Sequence, residues 1–274
     1  MLVDKLLPLL PAHTLYVEVF GGGASLLFAK RPAEVEVYND LDGGLVNLFR
    51  VLRDPEKFER FRAAVGLTLY SREEYRDCRA TWADCTDDVE RARRFYVVAR
   101  QSFSGRFGAG WAFRCNPGKG ADTTSGAWQS ALAQLPEIHS RMRSVQVEHS
   151  DFRVLFKNYD RPETLFYVDP PYTADTRKAG GYAHEMTDAD HRDLVEILRG
   201  LKGRALLSGY ATPLYAPLEA DGWRRQDFAV SCRAAGRTKA TGITGAGAAT
   251  RMQGRTESVW ISPGQDAQPA LALG

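Results

Sequence analysis

The amino-acid sequence predicts an α/β protein with a mostly parallel sheet and a mostly helical insertion. Two observations support this prediction. Strand-like runs alternate with helical patterns in residues 14–55 and again from residue 145, which is typical of parallel strands joined by helices. Residues 70–145 lose this alternation. We therefore expect a main domain formed by residues 1–69 and 141–264, an inserted subdomain at residues 70–140 and a flexible tail at residues 265–274.

The first α/β segment is built from short elements. Leu15 to Phe20 is a β-rich run that ends at three consecutive glycines, and Ala24 to Lys30 is a helix-forming stretch. Val35 to Tyr38 alternates as a half-buried strand does. A second helix is predicted from apolar residues that recur on one helical face, Leu45, Leu48, Phe49 and Leu52.

The second α/β segment follows the insertion. A helix should begin after Thr187, because Asp190 stands where a capping box requires an acidic residue. Strands are predicted at residues 145–148, 165–168, 205–208 and 258–261.

The composition is that of an ordinary globular protein, with 44% hydrophobic and 26% charged residues among 274. No apolar run approaches the roughly 20 residues of a membrane helix, and the N-terminus lacks a secretory signal pattern. The four cysteines have no zinc-ligand spacing, so we expect reduced thiols, no metal and a cytoplasmic protein. The net charge of +2, taken alone, argues against a nucleic-acid partner.

The glycine turn after the first strand is a candidate cofactor site. Open parallel sheets bind ligands at the carboxyl ends of their strands, where glycine lets the backbone approach closely. The run Glu18-Val19-Phe20-Gly21-Gly22-Gly23 lies at such an end, although it departs from the dinucleotide pattern G-x-G-x-x-G. Asp40 follows about twenty residues later, where an acidic residue can bind two ribose hydroxyls. This pair favours an adenosine-bearing cofactor, and the alternative is a tight turn beside a solvated aspartate.

The tetrapeptide Asp169-Pro170-Pro171-Tyr172 is the most specific pattern in the chain. Two consecutive prolines make the turn rigid and leave its carbonyls free as acceptors. The Asp169 carboxylate and the Pro170 carbonyl can bind both hydrogens of an exocyclic amino group, while the Tyr172 ring can stack on an extruded base. This arrangement suits methylation of an aryl amine by a methyl sulfonium. The alternative is a turn that only ends the strand.

Together these motifs resemble the DNA N6-adenine methyltransferases of the D12 class, which include bacterial and phage DNA adenine methylases. The resemblance covers about residues 5–262 and includes the motif order of cofactor turn, long insertion and Asp-Pro-Pro-Tyr. It rests on residues 16–23, Asn39-Asp40, Ser150-Asp151-Phe152, residues 169–172 and Arg255 to Trp260.

The resemblance implies a Rossmann-like methyltransferase that uses S-adenosylmethionine and no metal. It would flip an adenine from duplex DNA, methylate its N6 amino group and release S-adenosylhomocysteine, with the insertion recognising the target and with a role in restriction-modification. The cofactor-binding residues that it implies are Glu18, Phe20, Gly21, Gly23, Asp40, Asp151 and Phe152. The residues that it implies for the target adenine are Asp169, Pro170 and Tyr172. We expect a monomer.

One departure from the family pattern concerns the N-terminus. The family usually opens with a Lys-Trp-x-Gly-Gly-Lys segment that helps close the pocket, whereas this chain begins with Met1-Leu2-Val3-Asp4-Lys5, just past the expected end of that segment. A catalytically impaired DNA-binding relative is therefore one alternative. Methylation of adenine in RNA, or of a protein amide, is another.

Basic residues cluster in acid-free stretches that the near-neutral total conceals. Arg91 to Ala121 interleaves arginines with aromatic residues, which suits phosphate contacts and a wedge entering a groove. Phe228 to Thr256 is predicted to be a mobile loop that orders on DNA, and Asp175 to Gly181 to be a lid over the target base. The alternatives are a solvated helix face for Arg91 and Arg93, and a surface excursion without a role. The candidate DNA-binding residues are Arg100, Ser104, Arg106, Phe107, Trp111, Arg114, Lys119, Arg177, Lys178, Arg237 and Lys239.

Overall fold

The structure is a computed structural model that describes residues 2–113, 124–171, 185–231 and 254–263. Within these ranges, seven strands form one sheet: β1 (Leu15–Glu18), β2 (Val35–Asn39), β3 (Val145–Glu148), β4 (Thr164–Val168), β5 (Arg204–Gly209), β6 (Arg224–Ser231) and β7 (Gly254–Ile261). Their order across the sheet is β3-β2-β1-β4-β5-β7-β6. The predicted α/β class is confirmed.

Most of the sheet is parallel. β1 pairs in parallel with β2 and β4, β2 with β3, and β4 with β5, whereas β7 runs antiparallel to β5. Because β2 and β3 lie on one side of β1 and β4 on the other, the strand order reverses between β1 and β4. Such a reversal opens a crevice at the carboxyl ends of the strands, the usual ligand site of this sheet type.

The described helices are α1 (Leu2–Leu6), α2 (Ser25–Ala29), α3 (Gly43–Arg53), α4 (Pro55–Gly66), α5 (Arg72–Thr81), α6 (Asp88–Gln101), α7 (Thr124–Ala133), α8 (Leu135–Met142), α9 (Phe152–Tyr159), α10 (Asp188–Arg199) and α11 (Ala216–Ala220). The capping box predicted at the start of α10 is confirmed. Thr187 Oγ1 accepts from the Asp190 amide at 3.2 Å, and the Asp190 carboxylate accepts from the Thr187 amide at 2.9 Å. In the described ranges, no helix has the length and apolar character needed to cross a bilayer.

The core of the sheet packs α9 and α10 against the strands. Phe156, Leu194 and Leu198 are at most 2% exposed and form one cluster with Val17 and Phe166. Every residue of β4 is buried, as expected for a parallel strand covered on both faces. Burial of each such leucine stabilises the fold by about 2–3 kcal/mol. The core thereby fixes the carboxyl ends of β1 and β4.

The chain separates into two compact units. The first unit comprises residues 1–43, 144–230 and 255–274 and contains nearly all of the sheet, whereas the second comprises residues 44–143 and 231–254. The assignment of one part of the chain to catalysis and the other to DNA recognition stays a prediction.

The second unit begins earlier in the chain than residue 70, the expected start of the insertion. The reason is that α4 packs within this unit. The Phe61 ring lies edge-on to the Tyr96 ring of α6, 5.6 Å between centroids, and the Phe58 ring stacks on His139 of α8 at 4.2 Å. The apolar face of α4 is therefore satisfied by helices of the second unit.

The stretch from Phe228 to Thr256 is not wholly a loop. Its first residues complete β6 and its last residues begin β7, so the prediction of a mobile loop is wrong at both ends. β6 escaped prediction because its first half, Arg224 to Asp227, is polar throughout and lacks apolar alternation. Residues 232–253 and the predicted tail lie outside the described residues.

Candidate active site

Three acidic residues stand at the carboxyl ends of neighbouring parallel strands. Glu18 ends β1, Asp40 directly follows β2, and Asp169 directly follows β4. The register pairs Glu18 with Tyr38 of β2 and with Tyr167 of β4, so the three strand ends are level. The structure thus brings together at one edge of the sheet three residues that lie far apart in sequence.

The glycine turn after β1 packs closely on β2. The Gly21 amide donates to the Asn39 carbonyl at 2.7 Å, and the Tyr38 hydroxyl donates to the Gly22 carbonyl at 2.9 Å. A Cβ on Gly21 would lie 2.2 Å from the Tyr38 ring, and Gly22 has a left-handed φ of +48°. A Cβ on Gly23 would meet nothing nearer than 3.9 Å. The Tyr38 ring therefore leaves no room for a side chain at Gly21, whereas Gly23 faces open space.

Asp40 fixes this turn from the neighbouring strand. Its Oδ2 accepts from the Gly22 amide at 2.8 Å, and its Oδ1 accepts from the Asp42 amide at 2.8 Å. A carboxylate offers about four acceptor positions, so these two bonds do not exhaust its capacity. The geometry suits a carboxylate that shapes the turn and also accepts from hydroxyl groups of a ligand.

Asn39 contributes to the site in a way that the sequence did not reveal. Its Nδ2 donates to the carbonyls of Val19 at 2.8 Å and Ser150 at 3.0 Å, and its Oδ1 accepts from the Ser150 amide at 2.9 Å. This arrangement, which we call the Asn39 clasp, ties the end of β2 to the segments that follow β1 and β3. Its partners lie 20 and 111 residues away along the chain, so no local motif indicates them.

Glu18 is buried with a fixed orientation. Its Oε1 accepts from the Tyr16 hydroxyl at 2.8 Å and from the Leu27 amide of α2 at 2.7 Å. Burial raises the pKa of Glu18 to about 7, these two hydrogen bonds oppose that rise, and the charge of Asp169 adds to it. Near neutral pH the carboxyl group is therefore divided between its two protonation states, and a cationic ligand would favour the ionised one.

A buried ion pair supports Tyr16. Lys30 Nζ donates to Glu36 Oε1 at 2.5 Å, and both side chains are 2% exposed. The same ammonium lies over the Tyr16 ring, 4.2 Å from its centroid. Burial, together with the charge of Glu18, raises the pKa of Tyr16 well above its usual range. The hydroxyl stays protonated and donates to Glu18. The sequence analysis did not single out Lys30 or Glu36.

Asp151 and Phe152 lie at the start of α9. Asp151 caps the helix by accepting from the Arg153 amide at 2.9 Å, and its carboxylate pairs with the Arg153 guanidinium at 3.2 Å. Phe152 is 3% exposed, with its ring 5.8 Å from that of the half-buried Phe20. Phe152 therefore packs in the core, and contact of its ring with a cofactor stays a prediction.

The Asp-Pro-Pro turn directly follows β4. Asp169 is half-buried and Pro170 is buried. Burial raises the pKa of Asp169 to about 7 and the charge of Glu257 on β7 raises it further, while a hydrogen bond from Tyr167 lowers it. A carboxyl group with this pKa can accept hydrogen bonds and exchange a proton near neutral pH. Tyr172 lies outside the described residues.

The glycine-rich aromatic loop belongs to the second unit and is closed by backbone pairing. Ser102 and Trp111 form an antiparallel bridge, and the Phe103 amide donates to the Gly110 carbonyl at 2.7 Å. Three of the predicted DNA-binding residues expose their side chains at or beside this loop, Arg100, Ser104 and Arg106.

Two further predicted DNA-binding residues, Phe107 and Trp111, are partly anchored. The Phe107 ring lies 4.7 Å from that of the buried Phe95, although 45% of Phe107 is exposed. Trp111 Nε1 donates to Gln101 Oε1 at 3.2 Å. Phe107 thus presents one side of its ring to solvent and has the other fixed, while Trp111 is held in the loop.

Arg72 is a surface cation that sequence reasoning missed. Its guanidinium lies 4.9 Å from the Trp111 ring centroid and 4.8 Å from that of Phe113, which is 46% exposed. Such cation–π contacts hold the guanidinium beside the aromatic loop. Arg72 stands among the acidic residues Glu73 and Glu74, outside the acid-free stretch, so composition gave no signal.

Two arginines in the helical part of the acid-free stretch, Arg93 and Arg94, belong to ion pairs. Arg93 contacts Glu90 at 2.7 Å and Glu74 at 2.6 Å, and Arg94 contacts Glu90 at 2.8 Å. These pairs lower the pKa of both glutamates. The structure therefore favours a structural role for Arg93, because its guanidinium is held by two carboxylates, Glu74 and Glu90, that lie outside the acid-free stretch.

The remaining predicted DNA-binding residues lie outside the described residues: Arg114, Lys119, Arg177, Lys178, Arg237 and Lys239. Cys78 and Cys85 are free thiols, and burial raises the pKa of Cys78 to about 12. Within the described part of the chain, no group of three or more histidine, cysteine and acidic residues is arranged to hold a metal ion.

Comparison with known proteins identifies the family. The model of the D12 class N6 adenine-specific DNA methyltransferases matches residues 1–215, which is most of the chain. The chain is also 26% identical over 221 residues to the Type II methyltransferase M1.LlaDCHI of Lactococcus lactis subsp. cremoris, a match that covers 75% of each protein. The resemblance inferred from the motifs is confirmed. The chain belongs to the D12 class of N6 adenine-specific DNA methyltransferases and has the Rossmann-like fold of such an enzyme.

Proposed function

We propose that the protein transfers a methyl group from S-adenosylmethionine to the N6 amino group of an adenine flipped out of duplex DNA. The observation that carries the proposal is the level placement of Glu18, Asp40 and Asp169 at the carboxyl ends of adjacent parallel strands. A cofactor site and an amino-group acceptor then share one crevice. Membership of the D12 class supports adenine as the base.

The residues at β1 and β2 fit S-adenosylmethionine. Gly21 has no room for a side chain and Gly23 faces open space, so the turn forms a backbone cradle. Glu18, buried with a raised pKa, suits a ligand that carries positive charge, and Asp40 suits a ribose diol. Bound S-adenosylmethionine supplies an electrophilic methyl group. Phe20, Asp151 and Phe152 complete the proposed cofactor site.

The residues after β4 would hold the target base. Asp169 and the Pro170 carbonyl accept the two amino hydrogens, which directs the nitrogen lone pair towards the methyl group. As the bond from nitrogen to the methyl carbon forms, the bond from that carbon to the sulfonium sulfur would break and leave S-adenosylhomocysteine. The nitrogen would gain positive charge, and one amino proton must then leave. Asp169, whose pKa is raised to about 7, stabilises that charge and can accept the proton. Tyr172 would stack on the flipped base.

The second unit would supply most of the DNA contacts. Arg100, Ser104 and Arg106 expose their side chains, and Arg72 is held beside them by aromatic rings. Such cations suit phosphate groups, while the half-exposed Phe107 suits a wedge between base steps. We further propose a cytoplasmic monomer that acts in restriction-modification, as the description of M1.LlaDCHI as a Type II methyltransferase suggests.

The test is label transfer from radioactive S-adenosylmethionine to unmethylated plasmid DNA, followed by digestion to nucleosides. We expect label in N6-methyl-2′-deoxyadenosine and a fall of about 100-fold or more in kcat for Asp169→Ala, with cofactor binding retained. Glu196→Ala is the matched control, because its side chain is 68% exposed and in the same unit. Parental activity in Asp169→Ala contradicts the role of Asp169. DNA binding without label transfer would favour the catalytically impaired alternative, and label in RNA or protein alone would favour the other substrates.

A further inference from the structure

His191 is a buried titratable residue that the proposed mechanism leaves unused. It lies in the first turn of α10, is 0% exposed and has its Nδ1 3.0 Å from the Tyr215 hydroxyl. Tyr215 ends a short 3-10 helix, and its ring packs edge-on against Trp260, 5.0 Å between centroids. A hydrogen-bonded polar pair is thus enclosed in the hydrophobic core of the first unit.

The position of His191 is fixed by the start of α10. The capping box between Thr187 and Asp190 sets the first helical turn, and the His191 amide donates to the Thr187 carbonyl at 3.0 Å. The Arg153 guanidinium contacts the Asp190 carboxylate at 2.7 Å and ties this turn to α9. The imidazole therefore has little freedom to move away from Tyr215.

Burial determines which atom of the pair carries the proton. It raises the pKa of Tyr215 well above the usual range, and the charge of Asp169 raises it further. It lowers the pKa of His191, and the smaller effects of Asp188 and Asp190 oppose this. Tyr215 is therefore the donor and Nδ1 of a neutral His191 the acceptor, which leaves the imidazole proton on Nε2.

The Nε2–H group has an acceptor available in the functional turn. Nε2 is buried and makes no ordinary hydrogen bond within the described part of the chain. The Pro171 backbone carbonyl lies near enough to the imidazole to raise the pKa of His191, although Nε2 makes no hydrogen bond with it in the structure. An unsatisfied buried donor costs about 1–3 kcal/mol, so a closer approach of this carbonyl is favoured.

We propose that His191 is a positioning residue for the Asp169-Pro170-Pro171 turn, with its Nε2–H holding the Pro171 carbonyl and Tyr215 fixing the required tautomer. Holding this carbonyl restricts the peptide between Pro171 and Tyr172. The two acceptors that precede it in the turn, the Asp169 carboxylate and the Pro170 carbonyl, then keep a constant position for the amino group of the target base. This inference rests on the proposed function, in which the turn receives the target adenine. His191 itself does not contact the reacting atoms.

Kinetic variants test the positioning role. His191→Leu removes the donor, Tyr215→Phe removes the group that sets the tautomer, and His191→Gln retains an N–H donor near the position of Nε2. We expect kcat to fall about 10- to 100-fold in the first two variants, with cofactor affinity unchanged, and to recover largely in His191→Gln. Arg192→Ala, an exposed neighbour, is the control and should match the parent. Parental kcat in His191→Leu, or an equal loss in His191→Gln, overturns the inference.

A spectroscopic measurement makes the test independent of catalysis. Correlation spectra of the full chain with 15N-labelled histidine distinguish the two imidazole tautomers, and the His191 signals are those absent from His191→Gln. We expect the Nε2–H tautomer at neutral pH in the parent and its loss in Tyr215→Phe. An Nδ1–H tautomer or an imidazolium in the parent overturns the inference even if the protein methylates DNA. A parent with the expected tautomer but without methyl transfer refutes the proposed function instead.

Discussion

Replacing Glu18 with glutamine should stabilise the protein at alkaline pH. Glutamine retains an Oε1 that can accept from the Tyr16 hydroxyl and the Leu27 amide, as Glu18 does at 2.8 and 2.7 Å, but it cannot ionise. Burial raises the pKa of Glu18 from 4.5 to about 7. At about 1.4 kcal/mol per pKa unit, ionisation of Glu18 costs the folded protein about 3 kcal/mol relative to the unfolded chain.

The sign of this effect follows from proton binding. Well below pH 4.5 the carboxyl group is protonated in both folded and unfolded chains, so it contributes no difference between the parent and Glu18→Gln. As the pH rises from about 4.5 to about 7, the unfolded chain ionises first and the parent loses stability. Above about pH 7 the whole difference is present, and Glu18→Gln should exceed the parent by up to about 3 kcal/mol in free energy of unfolding.

Urea unfolding of the ligand-free protein at about pH 5 and about pH 8 measures this difference. Glu196→Gln serves as the control, because an exposed glutamate has little desolvation to relieve. A gain of the same size at both pH values, or a loss of stability at the higher pH, would refute the reasoning that ionised Glu18 is costly. By contrast, Glu18→Gln should weaken S-adenosylmethionine binding in titration calorimetry, because the substitution removes the negative charge that would interact with the positively charged ligand.

Three further comparisons between variants test other parts of the structure. Gly21→Ala places a methyl group against the Tyr38 ring and should lower the free energy of unfolding by about 1–3 kcal/mol, whereas Gly23→Ala should cost clearly less, as chemical denaturation can measure. Lys30→Met leaves the Glu36 carboxylate buried beside an apolar side chain and should lower the free energy of unfolding by about 3–5 kcal/mol. The double variant Lys30→Met/Glu36→Leu should recover most of this loss. Equal stability of both variants would contradict the importance of this pair. Arg106→Ala should reduce the salt slope of DNA binding by about 1, while Arg93→Ala should leave that slope unchanged and lower the melting temperature, so the opposite pattern would reverse their assigned roles.

Local signals explain the elements that the sequence predicted well. β3 spans residues 145–148 as expected, because its alternation and its boundaries are local properties of the sequence. α10 begins where Thr187 and Asp190 indicated, since a capping box is formed by residues three positions apart. The strand ends that carry Glu18, Asp40 and Asp169 were likewise marked by adjacent glycine, polar or proline residues.

The features that escaped prediction depend on contacts distant in sequence. In the sequence Asn39 is simply the residue before Asp40, and its role becomes visible only when the fold brings Ser150 within hydrogen-bond distance. His191 occupies an ordinary helical position, and only the approach of Tyr215 reveals a hydrogen-bonded pair. The role of Arg93 was left open, because the ion pair with Glu74 on α5 joins residues that lie 19 positions apart. The distribution of charged residues along the sequence does not show which of them form ion pairs on the folded surface.

The Asn39 clasp also has a consequence for biosynthesis. β1 and β2 leave the ribosome early, but Ser150 follows Asn39 by 111 residues and β4 begins only at Thr164. An isolated pair of strands is at best marginally stable in water, so the two strands must wait for residues 145–168 before their edges are covered. A nascent chain that has been synthesised only as far as the end of α8, at Met142, therefore still lacks the strand ends that form the candidate site. During this interval its exposed strand edges make it a substrate for chaperones and prone to aggregation.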